Sequence, residues 1–519
     1  MNLNLTSSRD SLARNIATNF LNYGFVLVSA FIMLPIMIGH LGAERYGLWI
    51  LAGEIVGYLA FLDLGVRSAA VYFGAGSLAR RDSDELNRVA ATAFWSLAIL
   101  GAAFSALCLA VVHWLPSLFK VSGVDVDEAR WSVLWITVTT AVTLLADVLT
   151  AILNGRRRLD LVNVIDTASR AAGFIATVIF LYAGYGLVAV SLAQLGMKVL
   201  LLVLTRVALA KVVPGLSLSP GYLSLSWLIR LCRFGMPSLL INLGQAVNGR
   251  TDLILVGMFL GVRMVTFYSI PRNLMEYAFS GVRSITTSYT AHLLHLSAEN
   301  RTEDLLRLYE SGARLSGIAI CLLTAYISAF GSSFLRIWQG PVFVTGVWDM
   351  RADVALLILA AAFLPRMAAH MSTQLLFATG RLAFTAWSNA AEAAAKVALS
   401  FVLVPRWGLA GMAIANLIPM YLVDGFATTL YLLRIFPLSV ARFMRNVVAR
   451  PLAVGLAAFA VSWLLVRWKQ PLHWPVFLLE AAFSALCGIA VTWKIALENH
   501  ELMLARDFAR KIRSKTRGT

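Results

Sequence analysis

Apolar stretches of about 20 residues or more recur along this 519-residue chain, separated by short polar connections. A helix of that length crosses the hydrocarbon core of a bilayer, which is roughly 30 Å thick. The pattern therefore predicts an all-α integral membrane protein with about 14 transmembrane helices. The predicted helices lie near residues 15–40, 46–75, 88–116, 131–154, 160–183, 187–210, 230–260, 265–292, 305–335, 353–379, 383–405, 409–436, 445–467 and 474–496.

Positive charges fall mainly in alternate connections. With a cytoplasmic N-terminus, the inner connections and the tail hold most of the Lys and Arg residues, as the positive-inside rule requires. The sequence thus predicts a multi-pass protein of the cytoplasmic (inner) membrane with both termini cytoplasmic. The basic inner residues include Arg80, Arg81, Arg88, Arg156, Arg157, Arg158, Arg434, Arg442, Arg450, Arg510 and Lys511.

Composition agrees with a membrane protein. The chain is 59% hydrophobic and 14% charged, whereas a soluble chain has about a quarter of its residues charged. The net charge of +17 would suggest nucleic acid as the partner of a soluble protein. Here the basic tail at 506–517 is explained by positive-inside anchoring and contact with anionic membrane lipids, so no nucleic-acid partner is predicted.

Short motifs recur in the same order 216 to 226 residues further along the chain. An ordered series of matches indicates an internal duplication, which is common in transporters. The pairs are Leu41-Gly42 with Leu260-Gly261, Gly65-Val66-Arg67-Ser68 with Gly281-Val282-Arg283-Ser284, Gly155-Arg156 with Gly380-Arg381, and Asn163, Asp166 and Arg170 with Asn389, Glu392 and Lys396.

The duplication predicts two six-helix lobes, residues 1–211 and 226–437, joined by a polar linker at 212–225. Residues 438–519 add helices thirteen and fourteen and the basic tail. Because each half has an even number of spans, the lobes have the same orientation and are related by a pseudo-twofold axis along the membrane normal. A cavity between the lobes is the expected site.

Ionisable residues within the spans are the candidate site residues, because a charge at the centre of a bilayer costs about 2.5–3.5 kcal/mol on insertion scales. Arginine is well suited to phosphate, since its planar guanidinium binds oxyanions through two hydrogen bonds. The candidates for a cationic substrate cavity are Arg67, Arg250, Arg272, Arg283 and Arg366, and those for coupling or gating are Glu54, Asp63, Asp252, Glu276 and His370.

The spacing of Arg272 and Glu276 predicts an i,i+4 ion pair beside a helix break at Pro271. Arg67 and Arg283 are partners in the repeat and are expected to face one central cavity, with anchoring at the lipid interface as the alternative. Structural ion pairs are the preferred interpretation of the repeated stripes Asp166-Arg170 and Glu392-Lys396.

No catalytic or metal-binding pattern stands out. The four cysteines lack pairing or metal spacing, and the acidic run Asp125-Val126-Asp127 is interpreted as a solvated loop. No phosphate-binding Walker motif occurs, so no cofactor is predicted and transport would use membrane potential, mass action or a gradient of a coupling ion, H+ or Na+. The sequence predicts a transporter and not an enzyme.

The opening run resembles the polysaccharide transporter family of the multidrug/oligosaccharidyl-lipid/polysaccharide exporter superfamily. The similarity extends through Asp252 and Tyr268 and the two Gly-Arg pairs, covering essentially the first 437 residues. The residues that carry it are Pro35, LGAERYGLW at 41–49, Tyr58 and DLGVRSA at 63–69.

The resemblance implies a flippase that moves a polyprenyl-pyrophosphate-linked oligosaccharide across the membrane by alternating access for surface polysaccharide biosynthesis, alongside other polysaccharide-assembly proteins. A cation-coupled drug antiporter of the same superfamily is the nearest alternative and would use the acidic residues. A membrane glycosyltransferase, polymerase or ligase acting on lipid-linked sugars is the alternative from another class.

Overall fold

The computed structural model describes residues 5–59, 65–111, 126–156 and 158–495, and within them the regular structure is helical, with no β-strand. This confirms the predicted all-α integral membrane fold. The helices are α1 Leu5–Leu59, α2 Val66–Arg80, α3 Ser83–Val111, α4 Val126–Gly155, α5 Leu159–Tyr182, α6 Leu187–Val212, α7 Leu225–Leu260, α8 Val262–Ala298, α9 Thr302–Gln339, α10 Ala352–Ala362, α11 Arg366–Ala378, α12 Leu382–Met420, α13 Thr428–Ile435, α14 Val440–Phe443, α15 Arg450–Trp468 and α16 Trp474–Ile495, with π-helical turns at Tyr421–Ala427 and Met444–Ala449.

The chain divides into two compact units, Met1–Thr266 and Phe267–Thr519. The first unit therefore includes α7, which follows the polar linker predicted at 212–225. The predicted lobe boundaries come from the repeat in the sequence, whereas the two units are defined by contacts in the structure. The lobe boundaries therefore stay a prediction.

In the first unit, α4 packs against α2, α3 and α6, while α1 lies along α5. Small residues such as Ala69, Ala70 and Ala93 are fully buried where α2 and α3 meet, which allows the helices to approach closely. The N-terminus of α2 comes closer still, since a Cβ on Gly65 would stand 2.3 Å from the carbonyl oxygen of Gly235 in α7.

In the second unit, α9 is the central helix and packs against α10, α11 and α15. Tyr309 of α9 is fully buried and shares a 3.1 Å hydrogen bond with Ser372 of α11. The C-terminal pair α15 and α16 is joined by a 2.6 Å hydrogen bond between Ser462 and Ser484. The final two predicted helices thus pack on the second unit through α9.

Nine helical segments among the described residues are long and apolar enough to cross a membrane, and the bent pair α10 and α11 makes a tenth. Two of the segments, of 38 and 53 residues, could each contain two of the predicted spans. Both are kinked, α1 at Gly42 and α12 at Trp407 and Gly408. The count of fourteen stays a prediction.

Two sequence expectations about helix breaks are wrong. Helix α8 runs unbroken through Pro271, where a break was expected, and the break lies instead before Arg366, where α10 and α11 meet at 47°. A proline in a membrane helix leaves the helix intact where surrounding groups satisfy the freed carbonyl, so proline alone does not locate a break. The predicted helix 46–75 is likewise divided between α1 and α2.

Backbone conformation supports the internal repeat. Gly42 (φ 78°, ψ 169°) and Gly261 (φ 86°, ψ 168°) have nearly the same conformation at an offset of 219 residues. Two non-glycine residues with positive φ, Arg81 (58°) and Asn300 (56°), have the same offset. Such conformations are uncommon for residues with a Cβ, so their agreement strengthens the case for duplication.

Candidate functional site

The first unit holds an ion pair between α1 and α7. The Oε2 atom of Glu54 lies 2.9 Å from Nη1 of Arg250. One turn further along α1, Tyr58 and Thr251 share a 2.6 Å hydrogen bond. The glycine at position 57 leaves room for the guanidinium, because a Cβ there would stand 2.1 Å from the same Nη1 atom. Two predicted site residues, one basic and one acidic, are thus brought together.

Arg67 at the start of α2 pairs with a residue that the sequence analysis did not select. Its Nη1 atom lies 2.8 Å from Oδ2 of Asp147 in α4, and 57% of the Arg67 side chain is exposed. Asp147 is a lone carboxylate in a long apolar segment, and that isolation was the available signal. The exposed guanidinium has its counter-charge before any substrate is present.

A third polar group in the first unit centres on Asp166 of α5. Its Oδ2 atom accepts hydrogen bonds from Nε of Arg170 at 2.8 Å and from Nδ2 of Asn22 at 3.0 Å. Asn163, one turn earlier, donates to the Thr18 hydroxyl at 3.2 Å. The predicted i,i+4 pair is therefore present, and α1 supplies its remaining partners.

Lys198 of α6 was also missed by the sequence analysis. It is half-buried and lies within electrostatic reach of Asp147, Asp166 and Arg170. Among the described residues, no carboxylate oxygen lies within 4 Å of its ammonium group. This part of the first unit therefore holds more positive than negative charge.

In the second unit, Glu276 and Arg283 of α8 form an ion pair. The i,i+4 spacing had pointed to Arg272 as the partner of Glu276, and a seven-residue separation is two helical turns, so both side chains must extend along the helix. The Arg283 guanidinium also lies 5.9 Å from the ring centre of Phe279. A role of Glu276 in holding Arg272 stays a prediction.

The most enclosed ion-pair cluster joins three elements of the second unit. Arg366, the first residue of α11, lies 3.4 Å from Oε1 of Glu392 in α12 and 3.3 Å from Oδ2 of Asp424 in the π-helical turn. Glu392 and Lys396 are buried, with 5% and 2% of their surface exposed. Helix interruptions and π-helical turns often occur at functional sites. Asp424 was not selected from the sequence, although it is a single acid in an apolar run.

Aromatic rings surround this cluster. The Arg366 guanidinium lies 5.1 Å from the ring centre of Phe363 and 5.6 Å from that of Phe279, distances at which a cation is attracted to the ring face. His370, one turn along α11, packs on Phe279 with ring centres 4.7 Å apart. Its Nε2 atom is buried without a hydrogen-bond partner among the described residues.

The two remaining acidic candidates from the sequence are Asp252 and Asp63. Asp252 in α7 is buried, with 5% exposed, and Asp63 lies outside the described residues. No group of three or more His, Cys, Asp and Glu side chains in the described part of the chain could hold a metal ion. The clusters described above are built from arginine and carboxylate, and a guanidinium binds a carboxylate or another oxyanion through the same hydrogen bonds.

Apolar helices in two units, with ion pairs inside the spans of both, define a multi-pass membrane protein. A Shigella flexneri protein described as an O-antigen transporter is 23% identical over 414 residues, which cover 78% of this chain and 94% of the relative.

Two solved structures are similar. The lipid II flippase MurJ in an inward closed conformation has a TM-score of 0.72 and 10% identity, with 92% of this chain and 97% of that chain covered. An inward-facing multidrug resistance transporter of the MATE family has a TM-score of 0.63 and 17% identity, with 80% and 94% covered. At these identities the likeness establishes the fold alone.

The family model described as polysaccharide biosynthesis protein matches residues 53–345, which is more than half of the chain. The chain belongs to this family and is a membrane transporter of polysaccharide biosynthesis. The resemblance to the polysaccharide transporter family, first seen in the opening residues, is confirmed.

Proposed function

We propose that this chain is a flippase that translocates a polyprenyl-pyrophosphate-linked oligosaccharide from the inner to the outer leaflet of the cytoplasmic membrane by alternating access. The observation that carries the proposal is that Arg67, Arg250, Arg283 and Arg366 all lie in helices and all have a carboxylate partner. Both termini would be cytoplasmic, and H+ or Na+ is the candidate coupling ion.

Such pairs suit a passing phosphate. A guanidinium left alone in a low-dielectric site would be costly, so a carboxylate neutralises it while the site is empty. A pyrophosphate offers stronger bidentate hydrogen bonds and more negative charge than one carboxylate, so it can displace the carboxylate from the arginine. When the substrate leaves, the ion pair forms again.

The same pairs argue against a cation antiporter. Glu54, Glu276 and Glu392 each face an arginine, so an organic cation would have to compete with a guanidinium that is permanently charged. For the enzyme alternative, the similar proteins are described as transporters and flippases. In this proposal the chain catalyses no reaction and works together with other polysaccharide-assembly proteins.

The test is translocation by the purified chain in liposomes that contain a polyprenyl-pyrophosphate-linked oligosaccharide with a fluorescent sugar. Fluorescence accessible to a membrane-impermeant quencher should change faster in proteoliposomes than in empty liposomes. No acceleration for this substrate, together with ion-driven export of an organic cation such as ethidium, would replace the flippase with the antiporter.

Variants sharpen the test. Arg272→Ala and Arg283→Ala should each reduce translocation about tenfold or more, and the Lys variants should be intermediate because they keep the charge but lose the bidentate contact. Arg406→Ala is the control and should translocate normally, because Arg406 of α12 is exposed and belongs to none of the ion pairs among the described residues. Full translocation by both alanine variants at normal protein levels would remove these arginines from the mechanism.

A further inference from the structure

A group of aromatic side chains at one end of the first unit holds an arginine that forms no ion pair with any described residue. Trp227, Arg230 and Phe234 are spaced i, i+3 and i+7 in α7, so they lie on one face of that helix. This face meets Phe73 of α2, which packs edge-to-face on Trp227 at 5.6 Å and on Phe234 at 5.2 Å.

The Arg230 guanidinium lies over two of these rings. Its Cζ atom is 4.8 Å from the ring centre of Phe73 and 4.8 Å from that of Trp227. Both distances are within the range of cation–π attraction. An arginine that only anchors a helix at the interface extends its charged group towards water, whereas the Arg230 guanidinium lies against two rings.

Arg230 differs from the paired arginines of the candidate site. Arg230 is exposed, and no carboxylate lies within 4 Å of its guanidinium in the described parts of the chain. The rings offer no oxygen acceptor, so the N–H groups along the edge of the guanidinium are not used by a carboxylate in the described parts of the chain. That edge is the part that binds a phosphate through two hydrogen bonds.

An exposed aromatic surface adjoins this arginine. Tyr72 stacks on Phe234 with ring centres 4.6 Å apart and planes inclined at 22°. Tyr72 is 61% exposed and Phe234 is 40% exposed. A ring face is apolar and carries partial negative charge, so it packs well against the C–H face of a sugar, while the tyrosine hydroxyl can bond a sugar hydroxyl.

We propose that Arg230, Tyr72 and Phe234 form a docking site for a glycosyl diphosphate, with the arginine edge on the phosphate and the stacked rings on the first sugar. Phe73 lies seven residues before the end of α2 and Trp227 is the third residue of α7, so the site is about 10 Å from the adjoining polar connections. That end of the unit is predicted to face the cytoplasm. The site would receive the substrate before translocation.

This inference rests on the proposed function and adds the first sugar to what is recognised. Binding is measured with the full-length protein in nanodiscs, using geranyl pyrophosphate, the same molecule bearing N-acetylglucosamine, and phosphatidylglycerol as probes. The wild type should bind the sugar-bearing probe about fivefold more tightly than the sugar-free one, because the rings contribute an aromatic contact.

Two substitutions separate the two halves of the site. Arg230→Ala should weaken the binding of both pyrophosphate probes about tenfold or more, and Arg230→Lys should have an intermediate affinity. Tyr72→Leu should abolish the preference for the sugar and leave the sugar-free probe unchanged, while Tyr72→Phe should retain most of it. Arg381→Ala is the matched control, since Arg381 is also exposed and lies 5.4 Å from a ring centre, but that ring, Phe436, is buried.

Three results would overturn the docking site. They are unchanged binding by Arg230→Ala and Tyr72→Leu, equal weakening by Arg230→Ala and Arg381→Ala, and full competition by phosphatidylglycerol, which would make the rings and arginine a phospholipid-anchoring belt. If the wild type translocates the lipid-linked oligosaccharide and the variants do so equally, the inference fails and the proposed function stands. If the wild type does not translocate it, both fail.

Discussion

The two halves carry the same polar stripe in different surroundings. In α5, Asp166 is satisfied by Arg170 of its own helix and Asn22 of α1. In α12, the corresponding acid Glu392 is more buried and receives Arg366 from another helix, which also binds Asp424. Asp166 is neutralised by its own helix, whereas Glu392 has Lys396 in its own helix and also an arginine brought by packing between elements.

The position of the stripe along the helix accounts for much of this difference. Helices α5 and α12 start from residues of nearly identical conformation, Arg158 (φ −96°, ψ 51°) and Arg381 (φ −96°, ψ 47°). Asp166 lies eight residues after Arg158, whereas Glu392 lies eleven residues after Arg381. Three residues are about 4.5 Å of helix, so Glu392 lies nearly one turn deeper from the helix start.

The second unit is therefore the one in which conformation and charge are coupled. Arg366 follows the break between α10 and α11, and Asp424 lies in a π-helical turn, so a change at either interruption would alter the ion pairs. The pair in α5 lies within one regular helix and would survive such a change. Two arginine substitutions test this contrast directly, and three glycine substitutions test other features of the two units.

Arg366→Ala should have the largest effect. It leaves the enclosed carboxylates of Glu392 and Asp424 without their guanidinium, and removing one partner of a buried pair costs about 3–5 kcal/mol. The expected result is at least a tenfold fall in folded protein in the membrane, measured by in-gel fluorescence of a fusion.

Neutralising the whole cluster is the control for that prediction. The quadruple variant with Arg366→Met, Glu392→Gln, Lys396→Met and Asp424→Asn should recover most of the folded protein, because all four charged groups of the cluster are then neutral. Transport should stay impaired if the charges act on substrate. If the quadruple variant folds no better than Arg366→Ala, the packing of these side chains and not their charge stabilises the cluster.

Gly42→Ala and Gly261→Ala should each lower the free energy of unfolding by about 1–2 kcal/mol. The two losses should be similar, because both positions have positive φ. A Cβ would meet nothing within 4 Å at either position, so the effect is confined to the backbone. The thermal unfolding midpoint in detergent is the measurement, with Gly39→Ala in the same open surroundings as control. Unequal losses would show that the two halves tolerate the turn differently.

Gly57→Ala should displace the Arg250 guanidinium from Glu54, since the new Cβ would overlap Nη1. A flexible side chain can move aside, so stability should change little while translocation falls about threefold to tenfold, a loss of roughly 1 kcal/mol. Gly53→Ala, one turn earlier with open space around it, should translocate like the wild type. Equal activity of the two variants would remove the pair from the mechanism.

Arg170→Ala should have the smallest effect. The guanidinium is 39% exposed, and exposed pairs contribute about 0–1 kcal/mol. Asp166 would keep its hydrogen bond from Asn22. Folded protein within about twofold of wild type is expected by the same fusion measurement. A loss as large as that of Arg366→Ala would erase the contrast between the units.

The fold followed from the sequence more fully than the site did. Hydrophobic length predicts helices because a bilayer requires them, and the Leu-Gly repeat located two equivalent turns. Local spacing found Asp166-Arg170, but contacts between distant helices have no spacing rule, so Asp147 and Asp424 were missed as partners. Each was visible as a lone acid in an apolar run.

The residues with positive φ also mark equivalent positions in the two halves of the chain. Gly42 and Arg81 are 39 residues apart, and so are Gly261 and Asn300, so the segments between them have equal length. Arg67 is 25 residues beyond the first mark, and the residue 25 beyond Gly261 is Thr286, three residues after Arg283. Counted from these turns, the position that corresponds to Arg67 holds the hydroxyl of Thr286, so the two halves carry unlike groups at the same distance along the chain from equivalent glycines.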